Sequence, residues 1–463
     1  VHVQLKEAEL SETTTTRPKL YNRILYPLLE FIRAASFSGI LLMVVTIIAI
    51  AWANSPWAES YAKVWSTPFT IALGDYGLTK ATILWVNDGL MAIFFFVVGL
   101  EIKRETMVGE LSSIKGAAFP VMAALGGMIV PAGVFVLLNL GDEGLSGWGI
   151  PMATDIAFAL GILTLLGNRA PLSLKLFLIA YAIVDDIGAV LVIALFYTSE
   201  VNFLSLWIGF LLFGLLLIGN ALRMRNIWVY ILIGVIMWVA FLKSGVHATI
   251  AGILLAITIP GRSKISEEEF VSSTDEVLEE LRISQQAEMS DPDTNPTDED
   301  YQGAVYTIES NCEEALSPMH RLEHALHPWV AFAIMPIFAL ANAGIAIDAN
   351  LVENLNAALP MGIILGLVLG KPIGILMFSW IASATGIAAK PTSFNWLQLI
   401  GVGLLGGVGF TMSIFIANLA FADSPMLPLS KLAILCASLV AGIIAYIILR
   451  YAGSRSPNRT DTV

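Results

Sequence analysis

Two adjacent aspartates, Asp185 and Asp186, stand in the apolar run Ile179-Ala180-Tyr181-Ala182-Ile183-Val184-Asp185-Asp186-Ile187-Gly188-Ala189-Val190. A charged side chain in the hydrocarbon core costs at least ~2.5–3.5 kcal/mol on the most lenient scale, so each one is by default a functional candidate. Burial favours the neutral form of carboxyl and ammonium groups alike, which makes their protons exchangeable near neutral pH. An ionised carboxylate also supplies the oxygen ligands that a small hard cation such as Na⁺ requires. Neighbouring helix positions diverge by about 100°, so one aspartate can meet a counter-ion while the other faces a cavity. The plainer reading, a misplaced span with the pair at its end, is opposed by apolar residues on both sides.

Two further charges share this setting. Lys371 is centred in Gly366-Leu367-Val368-Leu369-Gly370-Lys371-Pro372-Ile373-Gly374, where glycines allow another helix to approach, and an aspartate is its natural partner. A purely structural Lys–Asp pair is the alternative. Asp155 follows the breaker-rich run Gly147-Trp148-Gly149-Ile150-Pro151-Met152-Ala153-Thr154, and a comparable run spans Gly401–Thr411. Interrupted helices in two halves of a transporter are where unwound backbone and half-helix ends bind ions, and Asp186, Asp155, the Thr154 hydroxyl and bare carbonyls form one such oxygen set. Glycines used only for tight helix packing are the alternative. If one site holds either protons or sodium, and opens to one side at a time, the competition is exchange. There is no G-x-x-x-x-G-K-[ST] phosphate loop to couple the cycle to ATP.

The elements that hold these residues are membrane helices. The chain of 463 residues is 57% apolar and only 13% charged, which excludes an ordinary soluble domain. Apolar stretches suited to the bilayer fall near 34–53, 82–100, 116–138, 148–166, 176–198, 203–220, 226–242, 245–260, 326–347, 359–385, 396–422 and 428–449. The predicted fold is an all-α polytopic membrane protein of twelve transmembrane helices. Helices 4 and 11 are broken, and spans 3–5 and 10–12 form inverted repeats. The eighth span is short enough to be interfacial.

Basic residues in short loops mark the cytoplasmic side. With both termini inside, only Lys63, Lys80, Lys243 and Lys431 fall outside, and Lys371 lies in mid-membrane. The expected organisation is a cytoplasmic N-terminal extension (1–33), helices 1–8 (34–260), an acidic cytoplasmic loop (261–322), helices 9–12 (323–450) and a cytoplasmic tail (451–463). The polar first 33 residues predict no cleavable signal peptide. Residues 262–323 carry 17 acids against 4 bases, which accounts for the net charge of −12. That stretch reads as a disordered or loosely helical spacer, or as a cation-concentrating or regulatory element. Cys312 and Cys436 lie in dissimilar surroundings and suggest no disulfide.

The segments VNDGLMAIFFFVVGLEIKRE, MATDIAFALGIL, LIAYAIVDDIGAVLVIALFYT, KSGVHATIAG, RLEHALHPWV, GKPIGI and GVGFTMSIFIANLAF occur in this order between about residues 34 and 450. Together they resemble the NhaA-type Na⁺/H⁺ antiporters. The resemblance implies crossed broken helices and electrogenic, pH-regulated exchange of Na⁺ or Li⁺ for H⁺, without a cofactor, in the bacterial inner membrane. It implies that Asp186 and Asp185 bind the cation and carry protons, with Asp185 paired to Lys371, and that Asp155 and Thr154 lie in the broken fourth helix. Glu101, Arg104, Glu105, Glu323, His324 and His327 resemble a cytoplasmic pH-sensing cluster, and His247 matches a further family histidine tied to pH response.

Partners expected on this reading are Na⁺, Li⁺, H⁺ and the lipid bilayer. A homodimer is left open, and no nucleic acid is expected. His320, His324 and His327 share a helical face, but no zinc motif fits them, and a titrating surface suits them better. A passive cation channel is the first rival, opposed by the central lysine. An intramembrane aspartyl protease is the second, and it needs carboxylates side by side across a gap rather than diverging on one helix.

Overall fold

The computed structural model describes residues 26–74, 76–198, 201–290, 298–422 and 424–454, and these are mostly helical. The N-terminal extension and the C-terminal tail lie largely outside them. Helix α1 (Tyr26–Ala53) turns sharply into α2 (Ala58–Ser66), with 111° between their axes. A two-stranded antiparallel hairpin follows, β1 (Pro68–Leu73) and β2 (Tyr76–Ala81), with Thr70 facing Thr79; hydropathy does not foretell it. Then come α3 (Thr82–Val108) and α4 (Ile114–Leu138), a 3-10 helix Glu143–Met152 leading into α5 (Ile156–Leu165), and α6 (Leu172–Phe196). Helices α7 (Phe203–Ala221), α8 (Ile227–Ser244) and the short α9 (Thr249–Thr258) complete the first half.

The acidic segment is largely helical where described. α10 (Glu267–Ser290) and α11 (Asp298–Ala315) pack on one another, tied down by the ion pairs Lys264–Glu314 and Arg321–Glu313. Beyond it run α12 (Pro318–Asn342), α13 (Ala358–Ala384), the pair α14 (Trp396–Gly406) and α15 (Phe410–Ala420), and α16 (Met426–Ser454).

Among the described residues, eight helices are individually long and apolar enough to cross a bilayer, and up to eleven if each bent pair is one span. This is the all-α polytopic architecture with broken helices 4 and 11 expected from the sequence, and length and composition alone give up to eleven crossings where hydropathy predicts twelve. The predicted eighth span contains only α9, whose ten residues rise about 15 Å against a hydrocarbon core of about 30 Å.

Close packing depends on small residues. A Cβ on Gly374 of α13 would collide with the Gly126 carbonyl of α4, and one on Gly126 with the Gly374 carbonyl, so these two backbones touch directly. Prolines are absorbed by wider turns: the π-helical turn Gly366–Gly370 precedes Lys371-Pro372, and Val330–Ile334 precedes Met335-Pro336. Proline lacks the N–H that an α-turn would need, and a π-turn spares the helix a sharp break.

Candidate functional site

The two broken helices meet at their breaks. Extended residues Ala153–Asp155 separate the 3-10 helix from α5, with a bend of 46°; Gly407–Gly409 separate α14 from α15, with a bend of 41°. The breaks are sewn together by backbone and side chain: Asp155 N–H donates to the Val408 carbonyl at 2.8 Å, and Thr154 Oγ1 donates to the Gly406 carbonyl at 2.9 Å.

Charges sit at the half-helix ends that suit them. Asp155 caps α5 by accepting from Phe158 N–H at 3.0 Å, and its other oxygen accepts from the Thr411 N–H at 3.2 Å and from the Thr411 hydroxyl, in the first turn of α15. One carboxylate thus faces two helix N-termini, the ends that favour negative charge. Lys371 does the converse, donating to the Met152 carbonyl at the C-terminal end of the 3-10 helix.

The same ammonium donates to Asp185 Oδ2 at 2.8 Å, and both residues are fully buried. Asp186, on the next position of α6, faces a different neighbour, a cavity that is also lined by Ser38, Glu101, Thr154, Asp155 and His327. Among the described residues, no donor reaches Oδ1 of Asp185 or Oδ1 of Asp186. The five residues expected at the ion site, Asp155, Thr154, Asp185, Asp186 and Lys371, are therefore brought together. The arrangement can offer oxygen atoms to a cation, or hold protons, within reach of one fixed positive charge.

The cavity mouth carries the second expected cluster. Glu101 is buried, and Arg104 bridges Glu105 (3.0 Å) and Glu323. His327 lines the cavity, whereas His324 is exposed. His247 is not part of this group. It lies between α8 and α9 near Asp88, its Nε2 2.6 Å from the Tyr197 carbonyl, and Asp88 is on the order of 20 Å along α3 from Glu101. Among the described residues, no group of three or more His, Cys, Asp or Glu is arranged to hold a metal, the histidines of α12 included.

Some residues of the site carry no sequence signal strong enough to find them. Thr411 completes the shell of Asp155, and Tyr181 places its hydroxyl 3.3 Å from Thr154 Oγ1. An asparagine network ties α12 to its neighbours: Asn342 exchanges hydrogen bonds with Asn87 (2.8 Å) and accepts from Asn418 (2.7 Å). Intramembrane asparagine was the available clue for that network.

Comparison with known proteins shows the family. Residues 29–449 match the family model described as Na⁺/H⁺ antiporter 1. The chain is 50% identical to the Na⁺/H⁺ antiporter NhaA of Oleidesulfovibrio alaskensis, covering 94% of this chain and 95% of that one. It is 48% identical to the NhaA of Koribacter versatilis (92% and 91%) and 46% identical to NhaA 2 of Syntrophotalea carbinolica (93% and 97%). This multi-pass helical membrane protein is a member of the Na⁺/H⁺ antiporter 1 family.

Proposed function

We propose that this protein exchanges Na⁺ or Li⁺ for H⁺ across the bacterial inner membrane by alternating access, with both termini cytoplasmic and sodium extruded. The observation that carries this reading is the buried Lys371–Asp185 pair beside Asp186, which opens on the cavity. A cation entering past Glu101 takes Asp186, whose Oδ1 has no donor, together with the Thr154 hydroxyl, while Asp155 holds the break in register and adds negative charge. Attraction of the cation to Asp185 weakens its hold on Lys371, and the ammonium then gives up its proton. Return from the outside requires protons to replace the cation, because the site cannot hold both.

Two protonatable units facing one monovalent cation make the cycle electrogenic when both discharge. The Arg104–Glu323–Glu105 cluster at the mouth, with Glu101, His324 and His327, supplies the pH response by changing the charge a cation meets on entry. His247 would act from its separate position, through its contact with Tyr197. The reading against a passive channel rests on Lys371, a buried ammonium beside the aspartates that couples cation binding to proton release. The divergence of Asp185 and Asp186 on one helix argues against a protease dyad.

The test uses purified protein in vesicles holding a pH-sensitive dye. After a pH gradient is imposed, added Na⁺ or Li⁺ should dissipate it, K⁺ should not, and Asp186→Asn should abolish the response. Absence of any cation-dependent proton movement in the wild-type protein overturns the proposal.

A further inference from the structure

Tyr181 lies one helical turn before Asp185 on α6 and is fully buried. Its ring stacks on Phe177, with centroids 6.4 Å apart. The hydroxyl reaches the point where the breaks cross. It is 3.3 Å from Thr154 Oγ1, which itself donates to the carbonyl of Gly406, the last residue of α14. A threonine hydroxyl has one proton, and here it is committed to Gly406. The phenol must therefore donate and Thr154 accept.

Two glycines make room for this hydroxyl. A Cβ on Gly127 of α4 would lie 2.9 Å from the phenol oxygen, and one on Gly406 would lie 3.0 Å from it. The result is a single hydrogen-bonded line from the aspartate-bearing helix, through the break of the first broken helix, to the end of α14. A threonine oxygen has two lone pairs; with one taken by Tyr181, one remains for a ligand, and Thr154 lines the same cavity as Asp186.

We infer that Tyr181 is a positioning and specificity-determining residue for cation binding: its hydroxyl locks the orientation of the Thr154 hydroxyl and so presets one oxygen ligand of the transported ion. The inference rests on the antiport reading above. Without the phenol donor the threonine can turn, and the oxygen shell loses the fixed spacing that separates the smaller Li⁺ from Na⁺. Tyr181 does not itself need to touch the ion.

The experiment measures half-saturating Na⁺ and Li⁺ and maximal exchange rates in vesicles for wild type, Tyr181→Phe, Tyr181→Met, Thr154→Ala and the Tyr181→Phe/Thr154→Ala double variant. Loss of one hydrogen bond should raise half-saturating Na⁺ about three- to ten-fold. The Na⁺/Li⁺ preference should shift with the maximal rate nearly unchanged, and Tyr181→Phe should add nothing once Thr154 is alanine. Tyr181→Met removes the donor in a different shape, so either folded variant decides the matter. Tyr230→Phe is the control: it removes an equally buried phenol, which donates to the Met224 carbonyl away from the site, and should leave every parameter unchanged. Wild-type kinetics in the folded Tyr181 variants, a fall in maximal rate at constant half-saturation, or independent effects in the double variant would each overturn the inference. Failure of the wild-type protein to exchange any cation overturns the antiport reading itself, and this inference with it.

Discussion

Lys371 and Asp185 form an ion pair of 2.8 Å with neither side chain exposed, and the lysine spends a second donor on the Met152 carbonyl. The pair joins α13 to α6, and the carbonyl joins both to the broken helix. On the antiport reading, stability and transport share this one contact, and variants can separate them.

Asp185→Leu leaves a buried ammonium without its carboxylate, which typically costs about 3–5 kcal/mol. Replacing both partners, Asp185→Leu with Lys371→Met, removes the unpaired charge. The double variant should recover most of the lost thermal stability in detergent while exchange stays absent. A double variant no more stable than Asp185→Leu would show that the pair is not the source of the loss.

Asp155 has two tasks that substitution distinguishes. Asparagine caps helices nearly as well as aspartate, so Asp155→Asn should keep α5 capped while removing the negative charge from two helix N-termini. Asp155→Ala loses the cap as well, worth about 1 kcal/mol. Both should raise half-saturating Na⁺, and only the alanine variant should also melt measurably earlier.

Arg104 is the cation between Glu105 and Glu323, with buried Glu101 nearby. Arg104→Gln removes the charge that favours the ionised carboxylates. The pH profile of exchange should move toward higher pH, read from dye dequenching across a pH series, with maximal activity largely kept. An unmoved profile would place the pH response outside this cluster.

The Gly126–Gly374 contact has no room for a methyl group on either side. Gly126→Ala or Gly374→Ala should cost about 1–3 kcal/mol by overpacking, seen as a lower unfolding temperature in detergent. Gly133, with open space around its missing Cβ, should accept alanine without loss.

What the sequence disclosed followed the energetics of the bilayer. Asp155, Asp185, Asp186 and Lys371 are legible because a charge in an apolar run is expensive, and the breaks because Gly147–Pro151 and Gly401–Gly409 interrupt otherwise apolar helices. Tyr181 and Thr411 escape such reading, since a hydroxyl in a membrane helix is cheap and common, and only the fold shows which one meets a partner. The β1–β2 hairpin is too short for hydropathy to register. In the acidic segment, composition pointed to charge but not to the paired helices α10 and α11. For His247, resemblance offered a role and left its distance from Glu101 to the three-dimensional arrangement.

The unmet oxygens of Asp185 and Asp186 bear on the tightness of coupling. A buried acceptor without a donor is costly by about 1–3 kcal/mol, more when charged. On the antiport reading proposed above, the form with Asp186 ionised and no cation beside it is the least favourable, and a crossing made empty would have to pass through it. On the same reading, a proton on Asp186 or a cation beside it relieves that penalty there, so either passenger permits the turn and neither is dispensable. Slippage is then discouraged, on that reading, by the same deficiency that lets the site bind.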